Sequence, residues 1–158
     1  MRSASTLALT VLVFGSPVLL SAQARKPVDP AATEVSVGGA RIELKTSAWL
    51  NLQPGPSDLH DTAPGAPLRV TARVRSMTGT HLPPGFQVDS TIVSWGHRSW
   101  AVAVVPDMVT DTAIAFRLWG GPVWLLKADS LDIIVRTHAP GRRHQYLRAP
   151  RVLLERAY

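Results

Sequence analysis

The stretch Thr91–Val105, TIVSWGHRSWAVAVV, decides the fold class of this chain. It contains two apolar segments, Thr91–Trp95 and Ser99–Val105, on either side of Gly96-His97-Arg98. Valine, isoleucine and tryptophan favour a pleated, half-buried surface, and glycine gives the backbone the freedom that a tight reversal needs. We therefore predict a β-hairpin that lies at the centre of a small all-β domain.

Alternation of apolar and polar residues predicts further strands on both sides of this hairpin. Leu68–Ser76, LRVTARVRS, has the cleanest pattern, with its aliphatic side chains on the core face and its arginines on the face toward water. Arg41–Leu52 alternates with one interruption at Thr46, where we expect a β-bulge. The continuous apolar run Ile133-Ile134-Val135 predicts a strand that is buried on both faces.

Turn-forming residues separate these segments and limit their length. Pro140-Gly141 predicts a tight turn, and Pro150 predicts either a bend or an edge position in the last strand. No segment has the convincing 3.6-residue period of a helix. We therefore predict an all-β fold, a single Ig-like β-sandwich of seven to eight antiparallel strands over residues 34–158, with a small barrel as the alternative.

The N-terminus has the order of features found in a secretory signal peptide. Arg2 is followed by the apolar stretch Leu7–Leu20 and by Ala22-Gln23-Ala24, a small-x-small cleavage pattern. The apolar stretch is short for a membrane span, which needs about 20 residues. We predict a signal peptide over 1–24 that is cleaved near Ala24, a flexible leader over 25–33, and export to the periplasm or the cell exterior. A retained N-terminal anchor is the alternative.

Composition narrows the chemistry and the partners of the chain. The 158 residues are 46% hydrophobic, which is enough for a buried core, and they include no cysteine. The absence of cysteine excludes disulfides, thiol catalysis, cysteine-ligated zinc, iron–sulfur clusters and a lipoprotein anchor. The net charge is +6, or +5 without Arg2, which favours an anionic partner. The predicted export argues against nucleic acid, and no segment after the signal peptide is long and apolar enough to span a membrane.

Several short motifs resemble small exported bacterial Ig-like or fibronectin-III-like β-sandwich domains of uncharacterised function. The motifs are Trp49 with Asn51 and Pro54, Ala66-Pro67-Leu68, Gly121-Pro122-Val123-Trp124 and Leu147-Arg148-Ala149-Pro150. The resemblance covers about residues 38–157. It implies the sandwich fold, and it implies no activity.

The tryptophans are the first candidates for contact with a ligand. They are Trp49, Trp95, Trp100, Trp119 and Trp124. Exposed tryptophans on a β-sandwich stack on sugar rings or anchor a protein partner, whereas buried ones belong to the core. Trp49 is the candidate for exposure because it lies on the polar face of its strand. We expect Trp95 and Trp100 to pack against each other across the hairpin.

Two basic turns are the other candidate contact sites. Arg142, Arg143 and His144 follow the last predicted turn, and His97 and Arg98 lie in the turn of the hairpin. The other basic residues near the last turn are Arg136, His138 and Arg148. Such patches bind an anionic glycan or an envelope protein, or they only keep a sheet edge soluble.

Known catalytic and metal-binding motifs do not occur in the sequence. It contains no G-x-S-x-G, H-E-x-x-H or phosphate-loop pattern. Asp58-Leu59-His60-Asp61 could supply calcium ligands together with Asp107 or Asp111, but calcium takes six to eight oxygens and the spacing does not provide them. We therefore predict no catalytic residue, no metal and no cofactor. An enzyme, such as a hydrolase, is the least favoured hypothesis.

These observations together predict an exported, non-catalytic binding or structural module that contacts a protein or an anionic glycan of the cell envelope. The alternative is an Ig-like protease inhibitor that presents loops 51–55 and 120–124 to a protease. The candidate contact residues are Trp49, His97, Arg98, Arg142, Arg143 and His144.

Overall fold

The structure is a computed structural model that describes residues 32–52 and 66–158. In these ranges it contains β-strands, one short 3-10 turn at Val123–Lys127 and no α-helix, so the prediction of an all-β chain is confirmed. The strands are β1 Glu34–Val37, β2 Ala40–Asn51, β3 Leu68–Ser76, β4 Gln87–Trp95, β5 Arg98–Ala103, β6 Met108–Val109, β7 Ala113–Trp119, β8 Ser130–His138 and β9 Gln145–Ala157. None of the helical turns in the described ranges could cross a membrane.

Two of the predicted segments lie outside the described residues in whole or in part. These are the signal peptide with most of the leader, up to residue 31, and the acidic stretch Asp58–Asp61. The end of the predicted leader is described and is tied to the sheet. The carbonyl of Ala32 accepts the backbone N–H of Arg148 at 2.9 Å, and Ala32 bridges Leu147.

The strands form a single curled sheet in the order β5-β4-β8-β9-β2-β3-β7-β6, with β1 paired to β2. All pairs in the described ranges are antiparallel except one. Ala48–Asn51 of β2 runs parallel to Leu154–Ala157 of β9. Eight strands lie along this path, within the expected seven to eight, and β1 is a ninth. The expectation that all strands pair antiparallel is wrong, because the sheet is mixed.

Strand β9 joins the two halves of the sheet. Its first part pairs with β8 up to Leu153, and its last residues pair with β2. Within the part that pairs with β8, between Ala149 and Val152, β9 carries one extra residue opposite Asp132, and Arg151 adopts a left-handed φ of 50°. Asp132 holds this bulge in place, because its carboxylate accepts the backbone N–H of Arg151 at 2.9 Å and also pairs with Arg148. The bend predicted at Pro150 is confirmed.

One hydrophobic core lies inside the curl and takes side chains from both halves of the sheet. In β3, the aliphatic residues of the predicted alternation are buried and its arginines face outward, as expected. Strand β2 also alternates, but Thr46 lies opposite Ala72 in an unbroken register, so the predicted bulge is wrong. In β8, Ile133 and Val135 are buried while Ile134 is only half-buried, so burial on both faces is also wrong.

The hairpin predicted from Thr91–Val105 is confirmed, but its position in the sheet is not. Strands β4 and β5 pair across a turn in which Gly96 has a φ of +56°, a value that favours glycine. Strand β5 is the last strand on one side of the sheet, and Val105 beyond it is 81% exposed. The hairpin therefore lies at an edge of the sheet and not at its centre, because β4 pairs with β8 on one side and with the terminal strand β5 on the other.

Trp95 and Trp100 do not form the expected pair. Trp95 lies opposite Arg98, and Trp100 lies opposite Val93, which is fully buried. Trp95 stacks instead on Trp124 of the 3-10 turn, with 6.4 Å between ring centroids and an angle of 11° between planes. These tryptophans fix the 3-10 turn to the hairpin and leave little of the indole surface for a ligand.

Candidate functional site

The side of β2, β3 and β7 that faces away from the core carries a row of two tryptophans and an arginine. Trp49 of β2 lies directly opposite Arg69 of β3, and Arg69 lies directly opposite Trp119 of β7. Directly opposed residues share one face of the sheet at about 5 Å between Cβ atoms. The Cζ atom of Arg69 is 3.8 Å from the ring centroid of Trp119, which is cation–π geometry.

The aromatic rings of this row are open to solvent to different extents. Trp119 is 55% exposed, whereas Trp49 is half-buried. Arg117 is the second cation near Trp119, at 5.8 Å from the ring centroid, and its guanidinium is oriented by Asp107 at 3.1 Å. Arg69 and the three side chains around it, Trp49, Arg117 and Trp119, therefore line a small cleft with an aromatic wall and cationic groups.

The same surface continues along the strands as a polar, cationic area. Ser47 lies opposite Thr71, and Lys45 lies opposite Arg73. We call this surface the outer face and define it as Lys45, Ser47 and Trp49 of β2, Arg69, Thr71 and Arg73 of β3, and Arg117 and Trp119 of β7. Half of these eight residues are cationic, and two acidic residues adjoin them, Glu43 on the same side of β2 and Glu155 of β9 directly opposite Trp49.

Carboxylates neutralise only part of the positive charge on the outer face. Glu43 pairs with Lys45 at 2.9 Å and with Arg75 at 2.8 Å, and Asp107 pairs with Arg117. Among the ion pairs of the described residues, none includes Arg69 or Arg73. Like charges that are directly opposed destabilise a sheet, and an anion bound between Lys45 and Arg73 would remove that repulsion.

The pKa of Glu43 reflects this cationic environment. The hydrogen bond from Lys45 is the largest influence and lowers the pKa of Glu43, burial opposes it, and Arg75 lowers it further. Glu43 therefore favours its ionised form and pairs with two cations, Lys45 and Arg75, at the border of the outer face.

The residues predicted from sequence do not come together in one site. Arg142, Arg143 and His144 lie in the turn between β8 and β9, whereas His97 and Arg98 lie at the opposite end of the same strands. Trp49 lies on the other half of the sheet. Of these residues, only Trp49 belongs to the outer face. Its neighbours are Arg69 and Trp119, and the sequence does not bring these three residues together because it does not show that β7 lies next to β3.

The described residues of the two segments proposed as inhibitor loops lie at the same end of the sheet. Asn51 donates its N–H to the carbonyl of Pro67 at 3.1 Å, and Gly120 donates to Leu68 at 2.8 Å. Gly121 accepts an N–H from Ala66 at 2.7 Å. Residues 53–55 of the first loop lie outside the described residues.

A second polar cluster lies beside the turn between β8 and β9. Asp89 contacts the Nδ1 atoms of His138 at 2.7 Å and His144 at 3.3 Å. Its Oδ2 atom is also 3.4 Å from Nε of Arg136. The two imidazole rings meet edge to face, with 5.5 Å between centroids. The sequence placed His138 and His144 near this turn, but it gave no sign of Asp89, which reaches them only through the pairing of β4 with β8.

Comparison with known proteins gives no relative for this chain, since no family model, curated protein or solved structure matches it. The functional conclusions below therefore rest on the side chains and their geometry.

Proposed function

We propose that this chain is an exported, non-catalytic binding module that holds an anionic glycan of the cell envelope on its outer face. The row Trp49–Arg69–Trp119 is the observation that carries the proposal. A β-rich domain of Ig-like type is a common scaffold for such a surface, and the signal-peptide pattern at the N-terminus supports export.

The chemistry of the outer face matches the parts of an acidic sugar. The apolar face of a pyranose ring packs on an indole, which Trp119 offers with more than half of its surface exposed. A carboxylate or sulfate on the sugar pairs with a guanidinium, and Arg69 and Arg73 have no carboxylate of their own among the described ion pairs. Ser47 and Thr71, between the two arginines, supply donors and acceptors for ring hydroxyls.

A flat, extended surface favours a chain of sugars over a small molecule. Small-molecule sites are usually concave and enclosed. The outer face instead runs along three adjacent strands, and successive outward residues on one strand lie about 7 Å apart. A polysaccharide that lies along β3 would meet Arg69, Thr71 and Arg73 in turn. An envelope protein with an acidic surface is the alternative partner for the same charges.

The first test is binding of the purified mature chain to polygalacturonate and to neutral dextran by isothermal titration calorimetry. We expect binding to the acidic polymer only. Trp119→Ala and Arg73→Gln should each weaken it by about tenfold, because each removes a contact of roughly 1–2 kcal/mol. Raising the salt concentration should weaken it further, since exposed charges are screened.

The matched control is the double variant Arg142→Gln/Arg143→Gln, which removes two exposed arginines far from the outer face. We expect this variant to keep the affinity of the wild type. If the control loses binding and Trp119→Ala and Arg73→Gln do not, the turn between β8 and β9 is the binding site and the proposal for the outer face is wrong.

A protease-inhibitor module is the second candidate function. Its support is the adjacency of Asn51 and Gly120–Trp124 at one end of the sheet. Inhibition of a serine or cysteine protease by the mature chain, lost on substitution of Trp124, would favour it. Glycan binding through Trp119 without any inhibition would favour the outer face.

A further inference from the structure

The strand β4 contains an irregularity that places an acidic side chain next to two histidines. Val88 pairs with Thr137 and Ser90 pairs with Arg136, so Asp89 is an extra residue in β4. Bulges of this kind redirect a side chain and occur frequently beside functional sites. The backbone around it is fixed, because the carbonyl of Asp89 accepts the N–H of Val104 at 3.1 Å.

The two histidines approach the Asp89 carboxylate from different elements. His138 is the last residue of β8, and His144 immediately precedes β9. Nδ1 of His138 is 2.7 Å from Oδ1 of Asp89, and Nδ1 of His144 is 3.3 Å from Oδ2. One nitrogen or oxygen from each of the three residues lies within 4.8 Å of the other two. Ligands of one tetrahedral zinc ion, at about 2.0–2.2 Å from the metal, lie roughly 3.3 Å apart, so the observed distances are in the right range.

The contacts inside this cluster do not satisfy its polar atoms. Oδ2 of Asp89 and Nδ1 of His138 are shielded from solvent and have no hydrogen-bond partner. This is so although the carboxylate of Asp89 and the imidazole of His138 lie close together. Buried polar atoms in proteins are nearly always paired, and a pair that is close without hydrogen-bond geometry requires another explanation. An imidazole nitrogen and a carboxylate oxygen are ligand atoms that a bound transition-metal ion takes.

We propose that Asp89, His138 and His144 bind one divalent transition-metal ion such as Zn²⁺. Two imidazoles and one carboxylate suit zinc, copper, nickel or iron, and do not suit calcium or magnesium, which take oxygen ligands. Three protein ligands leave a coordination position for water. The ion would tie β4 to both sides of the turn between β8 and β9 and thereby fix Arg142 and Arg143.

Arg136 is a cation that faces this site. Its Nε atom is 3.4 Å from Oδ2 of Asp89 and has no hydrogen-bond partner, and its side chain is 41% exposed. A bound ion would repel this guanidinium, and the exposure of Arg136 lets it turn toward water. Removal of the charge should therefore strengthen metal binding, an effect that a purely structural ion pair with Asp89 would not produce.

The test is titration of the untagged mature chain with Zn²⁺ by isothermal titration calorimetry, with Co²⁺ absorption as a second readout of imidazole ligation. We expect one ion per chain. His144→Gln and Asp89→Asn should each weaken binding by at least about tenfold. Arg136→Gln should strengthen it several-fold.

The matched controls are His81→Gln and His97→Gln, both exposed and away from the cluster, and neither should change zinc affinity. Melting curves in EDTA show whether each variant folds, and His144 is the ligand least needed for folding because its side chain is 53% exposed. The proposal is overturned if His144→Gln folds and binds zinc as the wild type does, if the controls lose as much affinity as the ligand variants, or if no saturable binding occurs.

Discussion

At the scale of single residues, Asp132 shows how a half-buried carboxylate fixes the bend in β9. Burial alone would raise the pKa of Asp132, but the backbone N–H of Arg151 and the guanidinium of Arg148 together lower it below its ordinary value. Glu43, on the other half of the sheet, has its pKa lowered by Lys45 against the effect of burial, with a further contribution from Arg75. Both carboxylates therefore favour the folded state when they are ionised.

These two pKa values predict how stability depends on pH. A carboxyl whose pKa is lower in the folded chain adds stability above its unfolded pKa of about 4, and that stability is lost as the pH falls through the folded value. We expect the melting temperature to be constant from pH 7 to 5 and to fall below about pH 4. Asp132→Asn and Glu43→Gln should start lower at pH 7 and show a smaller fall in acid. Acid curves parallel to that of the wild type would contradict these roles.

Asp89 marks the limit of what single residues reveal in a sequence. His138 and His144 were noted because they are close along the chain and basic. Asp89 is about fifty positions away and becomes their neighbour only because β4 pairs with β8 and carries an extra residue at this point. Nothing in the local sequence predicts that irregularity, since no glycine or proline occurs at the site.

At the scale of strands, local alternation predicted which residues face the core. It did not predict which strands lie next to each other in the sheet. The bounds of β3, the turn at Gly96 and the bend at Pro150 all follow from period-two patterns and turn-forming residues, which act over a few positions. The parallel pairing of β2 with β9 joins residues more than a hundred positions apart. Such pairings depend on the packing of the whole core. For this reason the sequence predicts a hairpin at the centre of the domain, whereas the hairpin lies at an edge of the sheet.

The edge position of β5 predicts how two valines of the hairpin, one on each strand, differ in their contribution to stability. Val93 of β4 is fully buried, whereas Val102 of β5 is only half-buried. We expect Val93→Ala to lower the free energy of unfolding by about 2 kcal/mol and Val102→Ala by less than about 1 kcal/mol, because the loss scales with the buried volume removed. Urea denaturation of both variants measures the difference. Equal losses would show that β5 is covered in the native protein.

At the scale of the whole molecule, the curled sheet separates three kinds of surface. The inner side carries one core, the outer face carries Trp49 and Trp119 with unpaired arginines, and the turn between β8 and β9 carries the cluster around Asp89. The sequence predicted the all-β class, but it named Trp49 as the tryptophan most available to a ligand, whereas Trp119 is the exposed one and Trp49 is half-buried. It could not assemble the outer face, because the side chains of β2, β3 and β7 meet only in the folded sheet.

The most direct measurement is an NMR titration of the ¹⁵N-labelled mature chain with an acidic oligosaccharide, observed at the indole N–H signals of the tryptophans. We expect the signals of Trp119 and Trp49 to shift with a common affinity, and those of Trp95, Trp100 and Trp124 to remain in place because these rings pack within the fold. Assignment by single Trp→Phe variants makes the result unambiguous. Shifts confined to Trp95, Trp100 or Trp124, or no shift at saturating ligand, would contradict a glycan-binding role for the outer face.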